Sequence, residues 1–372
     1  MDGIGRIGES ARMAAAAARI PWWAWAWPAL AWAVLIAAIV AGTSGIIAAC
    51  AGAALIATVF AAVHHAEVVA HRIGEPFGTL VLAVAVTVIE VALVVSLMLA
   101  APAEKAGLAR DTVFASVMIA GNGIVGLCLL LGGIRHHEQD FQVQGASAAL
   151  AVLAALTTLT LILPNLTTAT PGPFFSTPQL IFAAVISLVL YGGFVFVQAI
   201  HRNYFLPVGG EDDKAEAPKP SNTTTLISAI LLLVALVAVV GLAKALTTTV
   251  EHAVAQLGVP KAVVGIVIAM LVLMPEGLAA LRAARANQLQ NSLNLALGSA
   301  LASIGLTIPA VAVVSILVHQ PLQLGLGLKD EVLLALTVFV GVITLGTGRT
   351  TVLQGLVHLV IFAAFLFFAL LP

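Results

Sequence analysis

Eleven apolar runs, most of them long enough to cross the roughly 30 Å hydrocarbon core of a bilayer, make up the bulk of this chain. They lie near residues 28–43, 45–63, 78–100, 112–133, 146–164, 179–200, 224–243, 261–281, 293–317, 331–346 and 351–371. In lipid, every backbone N–H and C=O must find its partner inside the protein, which only helices and closed barrels allow. Runs of this length predict helices, so the expected fold is an all-α polytopic membrane protein of about eleven transmembrane helices. Composition removes the soluble alternative: 61% of the 372 residues are hydrophobic and 9% charged, against about 25% charged in a soluble domain.

The remaining charges mark the loops. With the N-terminus inside, eleven of the sixteen lysines and arginines fall on the cytoplasmic side, among them Arg72, Arg135, Arg282, Arg285 and Arg349. Lys105, Arg110, Lys244, Lys261 and Lys329 fall on the other side. Basic residues concentrate in cytoplasmic loops, so the C-terminus is expected to be periplasmic or extracellular. The stretch PWWAWAWP (21–28) reads as an interfacial anchor closing a cytoplasmic tail (1–27), ahead of an extra first helix (28–44). It does not read as a secretory signal. Cys50 and Cys128 both sit in apolar runs and read as small core hydrophobes, with no disulfide framework or cysteine metal site.

One loop is charged and contains proline: VGGEDDKAEAPKPSN (208–222). It reads as an acidic cytoplasmic linker, 206–223, dividing a first transmembrane repeat (45–205) from a second (224–372). The halves match. EVVAHRIGEP (67–76) and EHAVAQLGVP (251–260) share Glu, Gly and Pro at identical spacing. Each proline opens a span that carries one glutamate, Glu90 or Glu276, and each such span precedes one broken by small polar residues, IAGNGIVG (119–126) or ALGSALASIG (296–305). Five spans per copy invert the second relative to the first, the architecture of many secondary transporters with a site at the midplane.

A charged side chain at the centre of a membrane helix costs roughly 2.5 kcal/mol or more. Two carboxylates facing each other across a pseudo-twofold axis repel when both are ionised, and a proton or a cation relieves them. Competition for the same oxygens is the chemistry of an exchanger, and it places the ions on Glu90 and Glu276. Pro275 cannot donate to the carbonyl of Leu271, so a helix break is expected there. Thr87, Asn122, Ser299 and Ser303 supply neutral polar groups and are the candidate supporting ligands, hard oxygen donors suited to Ca²⁺ or Na⁺. Close helix packing is the competing reading of the small residues.

Glu67 and Glu251 fall at opposite faces and are candidates for the entrances. His64, His65 and His71, with the pair His136-His137, read as solvated cytoplasmic loop residues or as a pH sensor. HHAEVVAH lacks the HExxH spacing of a zinc protease, and no span carries a Gly-x-Ser-x-Gly or a paired Asp. An ion transporter and not an enzyme is therefore expected, without cofactor or nucleic-acid partner. The partners are the bilayer, small inorganic cations and, compatibly, further copies of the chain. A passive channel lined by the same glutamates is the alternative; it lacks a pore-loop motif.

The segments 74–99, 115–133 and 264–313 resemble the cation/proton exchangers of the calcium/cation antiporter superfamily, most closely the bacterial sodium-calcium/proton antiporter branch. The resemblance implies a bacterial inner-membrane antiporter built of one extra helix and two inverted five-helix repeats. Its paired glutamates, which carry over onto Glu90 and Glu276, would bind Ca²⁺ and H⁺ alternately. Many relatives carry G-N-x-x-E; this chain has Val86-Thr87 and Val272-Leu273 at the Gly-Asn positions, and Ala302-Ser303 where a glutamine is usual. These changes remove amide oxygens and leave Na⁺ or K⁺ open as substrates.

Overall fold

A computed structural model of the chain describes residues 20–43, 45–74, 77–100, 106–206, 219–258, 260 and 262–371. The tail over 1–19 and the centre of the acidic linker, 207–218, lie outside the described residues, as does the side chain of Glu251. The helices are α1 (Trp22–Ala41), α2 (Ile46–Ile73), α3 (Phe77–Ala100), α4 (Leu108–Met118), α5 (Val125–His136), α6 (Val143–Thr157), α7 (Thr177–Ile200), α8 (Asn222–Leu257), α9 (Ala262–Arg285), α10 (Leu289–Ala302), α11 (Ile308–Val318), α12 (Leu328–Leu345) and α13 (Val352–Leu370). A π-helical turn, Ile119–Ile124, joins α4 to α5, and another, Ser303–Thr307, joins α10 to α11. Each pair is thus one continuous span, Leu108–His136 and Leu289–Val318.

Among the described residues ten helices are long and apolar enough to cross a membrane. The eleventh expected span is α12, whose first turn carries Asp330 and Glu331. The protein is an all-α polytopic membrane protein. A two-residue antiparallel pair, β1 (Gln139–Asp140) with β2 (Arg349–Thr350), ties two of its loops.

Two local expectations are corrected. The first helix starts at Trp22, so the tryptophans are helical and Pro28 lies inside α1. A proline at that point leaves the carbonyl four residues back without its helical donor. That carbonyl belongs to Ala24, and the buried His65 ring on α2 reaches it through Nε2 at 3.0 Å. His64 packs its ring 5.0 Å from that of Trp23. The two histidines are therefore packed helix residues joining α2 to α1, not members of a solvated loop. The second correction concerns Pro275, which does not break its helix: α9 runs unbroken from Ala262 to Arg285. The interruptions fall at the π turns instead, the second of them a turn later than Gly298-Ser299. Cys50 is exposed, unlike Cys128, which is buried as expected.

The chain forms two compact units, Met1–Ile89 with Gly210–Thr249, and Glu90–Gly209 with Val250–Pro372. Neither follows a half of the sequence, because each takes helices from both. In the first unit Trp32 Nε1 donates to the carbonyl of Val234 on α8, and the Thr249 hydroxyl donates to the carbonyl of Thr43. The second unit holds α4–α7 and α9–α13. Loops 137–142, 286–288 and 346–351 gather at one of its ends: Gln139 donates to the carbonyl of Ala284 and to Asn287, and Arg349 pairs with Asp140 at 3.1 Å. Loops 165–176 and 319–327 gather at the other, where Asn165 donates to the carbonyl of Leu326, Arg110 donates to that of Gly325, and Phe174 bridges Gln323. Alternating spans require this sorting of loops.

The two glycines shared by the matching motifs adopt matching backbones. Gly74 ends α2 at φ 77° and Gly258 follows α8 at φ 62°. Both lie at positive φ, where a side chain is penalised, so the repeated glycine ends a helix with the same backbone demand in each motif.

Candidate cation site

Glu90 sits near the middle of α3, 1% exposed, within the second unit. The Ser303 hydroxyl, in the π turn between α10 and α11, donates to its Oε1 at 2.6 Å. An O–H···O contact this short is in the range of charge-assisted hydrogen bonds. Thr307, fully buried one turn further, brings a second hydroxyl beside the same carboxylate. The carboxylate therefore faces neutral oxygens supplied by the second half of the chain. A π turn widens the helix and shifts its hydrogen-bond register, and such turns recur at functional sites. Here it places the Ser303 hydroxyl on the carboxylate, with the buried Thr307 hydroxyl nearby.

Glu276 is the counterpart, buried on α9 at 7% exposure. Its neighbour Gly277 lets α9 close on the first π turn, because a Cβ there would meet Ile124 Cδ1 at 3.2 Å. Each glutamate thus lies where a helix of one half meets the π turn of the other: Glu90 with Ser303–Thr307, Glu276 beside Ile119–Ile124. That exchange is what an inverted duplication produces.

The supporting residues divide. Ser303 is on Glu90. Thr87 is buried on α3 one turn before Glu90, and Ser299 is half-buried on α10 one turn before Ser303. Asn122, in contrast, is engaged elsewhere. Its Nδ2 donates to Thr337 Oγ1 at 2.8 Å, and its Oδ1 lies 3.0 Å from His358 Nδ1. Glu67 is exposed on α2. Among the described residues no three His, Cys, Asp or Glu side chains gather in a group that could hold a metal ion. Two participants escaped the sequence reading. Thr307 lies just beyond the small-residue motif, and His358 sits in the last span with no polar neighbour in sequence to flag it.

Over residues 30–200 and 227–371 the chain matches the model of the sodium/calcium exchanger protein family. The chain belongs to that family. As a sodium/calcium exchanger family member it is an ion transporter and not an enzyme, in keeping with a site of carboxylates and hydroxyls. It is 49% identical over 368 residues to a protein of Sinorhizobium fredii (strain NBRC 101917 / NGR234) described as an ionic transporter, y4hA, covering 97% of this chain and 99% of that one. It is also 37% identical over 316 residues to the sodium-potassium/proton antiporter ChaA of Escherichia coli (strain K12), covering 84% and 85%. The fold is that of the crystallised Ca²⁺/H⁺ antiporter YfkE, at a TM-score of 0.71 and 16% identity, covering 94% of this chain and 98% of that one.

Proposed function

We propose that this family member is a secondary antiporter of the bacterial inner membrane that exchanges protons for Na⁺ or K⁺, with cation and proton alternating on Glu90 and Glu276. The observation that carries the reading is the burial of Glu90 with the Ser303 hydroxyl donating to its carboxylate and the Thr307 hydroxyl close by. An ionised carboxylate so buried is costly unless neutralised. A bound proton neutralises it, and so does a weakly hydrated monovalent cation held by the same hydroxyl oxygens. The empty, ionised site is the state least able to change its exposure, which couples one ion's passage to the other's. The printed name of ChaA, at 37% identity, supports the monovalent cargo.

Ca²⁺ is the second reading, favoured by the duplicated glutamates, whose two charges would balance it. Ca²⁺ takes six to eight oxygens, commonly several from carboxylates, and the removal of amide oxygens next to both glutamates weighs against it. On either reading Glu67 is an entrance residue that attracts the cation, and Glu251 its counterpart. Cation flux is then expected to show a raised apparent KM for Glu67→Gln with the maximal rate retained.

Proteoliposomes carrying a proton gradient and a trapped pH dye test the function. Adding Na⁺ or K⁺ is expected to dissipate the gradient, and the ion is expected to accumulate against its own gradient. Selective response to Ca²⁺ would replace the first reading by the second. Downhill leakage without accumulation would make the protein a channel.

A further inference from the structure

One buried residue that the exchange mechanism leaves unused is His358. It lies on α13, 1% exposed, and both ring nitrogens have partners: Nδ1 is 3.0 Å from Asn122 Oδ1, and Nε2 is 3.1 Å from Thr344 Oγ1. The back-bond made by the Thr337 hydroxyl favours one direction for the network. The Thr337 hydroxyl donates to the carbonyl of Leu333 at 2.7 Å, so its oxygen must accept from Asn122 Nδ2. That turns Asn122 Oδ1 toward His358, where Nδ1 must carry the proton. Nε2 is then the acceptor of the Thr344 hydroxyl. In this arrangement each group of the chain has a partner.

Glycines bring the partners together. A Cβ on Gly126 would lie 3.0 Å from His358 Cβ and from Leu359 Cγ, and one on Gly123 would lie 3.3 Å from the Phe362 ring. The first π turn is therefore pressed against α12 and α13 on one side, and against Gly277 of α9, next to Glu276, on the other.

Resting on the proposed exchange at Glu90 and Glu276, we infer that His358 is a positioning residue of the cation site. It holds the Asn122 amide in one orientation and so keeps the first π turn in register against α9, which carries Glu276. It does not touch the ion. Its influence runs through Asn122.

The test compares His358→Leu, His358→Gln and Asn122→Ala, singly and as His358→Leu/Asn122→Ala, in proteoliposomes with Na⁺, K⁺ and Ca²⁺ as probes. His358→Leu is expected to raise the apparent KM for the transported cation about tenfold, as loss of a supporting hydrogen bond does at metal sites. The maximal rate should stay within about twofold, since transition between states still proceeds. His358→Gln, which restores an N–H donor, should recover most of the affinity. In the Asn122→Ala background His358→Leu should shift KM less than about twofold, because residues acting through one network are not additive. Unchanged KM in His358→Leu, or equal shifts in both backgrounds, overturns the inference. If His358→Leu fails to give monodisperse protein, Thr344→Val decides. It removes only the Nε2 partner and should raise KM about threefold; no shift overturns the inference. Glu90→Gln in the same vesicles separates this failure from failure of the exchange reading: if it transports normally, the site itself is wrong.

Discussion

Of the three π turns among the described residues, two interrupt corresponding spans of the two halves and are put to different uses. The second, Ser303–Thr307, turns the Ser303 hydroxyl onto Glu90. The first, Ile119–Ile124, gives its one polar side chain to α12 and α13, through Thr337 and His358. The same widened helix occurs in both halves. In one it lines a carboxylate, and in the other it fastens helices together. Widened backbone is therefore the shared device, and side-chain assignment is where the halves part.

The largest effects are expected at the lined carboxylate. Glu90→Gln keeps the shape and removes the charge, so cation-dependent proton flux should fall to that of protein-free liposomes. Ser303→Ala leaves the carboxylate but strips a hydrogen bond to a charged or proton-sharing group, a loss of about 1.5–3 kcal/mol. The apparent cation affinity should drop tenfold or more by the same arithmetic, with folded protein recovered at the normal yield. If Ser303→Ala changes affinity no more than a surface substitution does, the second π turn is not a lining and the contrast fails.

At the fastening the expected loss is in stability. Gly126→Ala drives a methyl against His358 and Leu359 at 3.0 Å. Overpacking of this kind costs about 1–3 kcal/mol. Thermal unfolding in detergent should shift downward, by more than for any alanine placed at a lipid-facing glycine such as Gly192, where nothing lies within 4 Å among the described residues. A neutral Gly126→Ala would mean that α13 is not held tightly to α5.

Much of this was legible in the residues. Apolar run length located the ten helices long and apolar enough to cross a membrane among the described residues, and α12 besides, because lipid enforces helical hydrogen bonding. Glu90 and Ser303, singled out separately in the sequence, meet in a hydrogen bond. What escaped depends on contacts distant in sequence. Nothing local to IAGNGIVG says that Asn122 will meet His358, which lies 236 residues away. Pro28 and Pro275 look like breaks when read alone. Pro28 is absorbed because a histidine from another helix takes the freed carbonyl. For Pro275, α9 is packed along its length, and the loss of one hydrogen bond does not end it.

The smallest effect is expected at Gly298, and it probes the contrast most finely. Gly298 lies on α10 one turn before the second π turn, and a Cβ there would meet no heavy atom within 4 Å among the described residues. Its helical position makes Gly298→Ala favourable by up to about 1 kcal/mol through backbone entropy. Thermal stability should hold or rise slightly, and transport kinetics should stay within about twofold if nothing approaches there. Suppose instead that stability rises while the maximal rate falls. The added methyl would then be tolerated in this conformation and would clash in another one visited during the cycle. Gly298 would be a close-approach surface used only in that second conformation, as Gly126 is used in this one. The two halves would then differ in when they close rather than in whether they do.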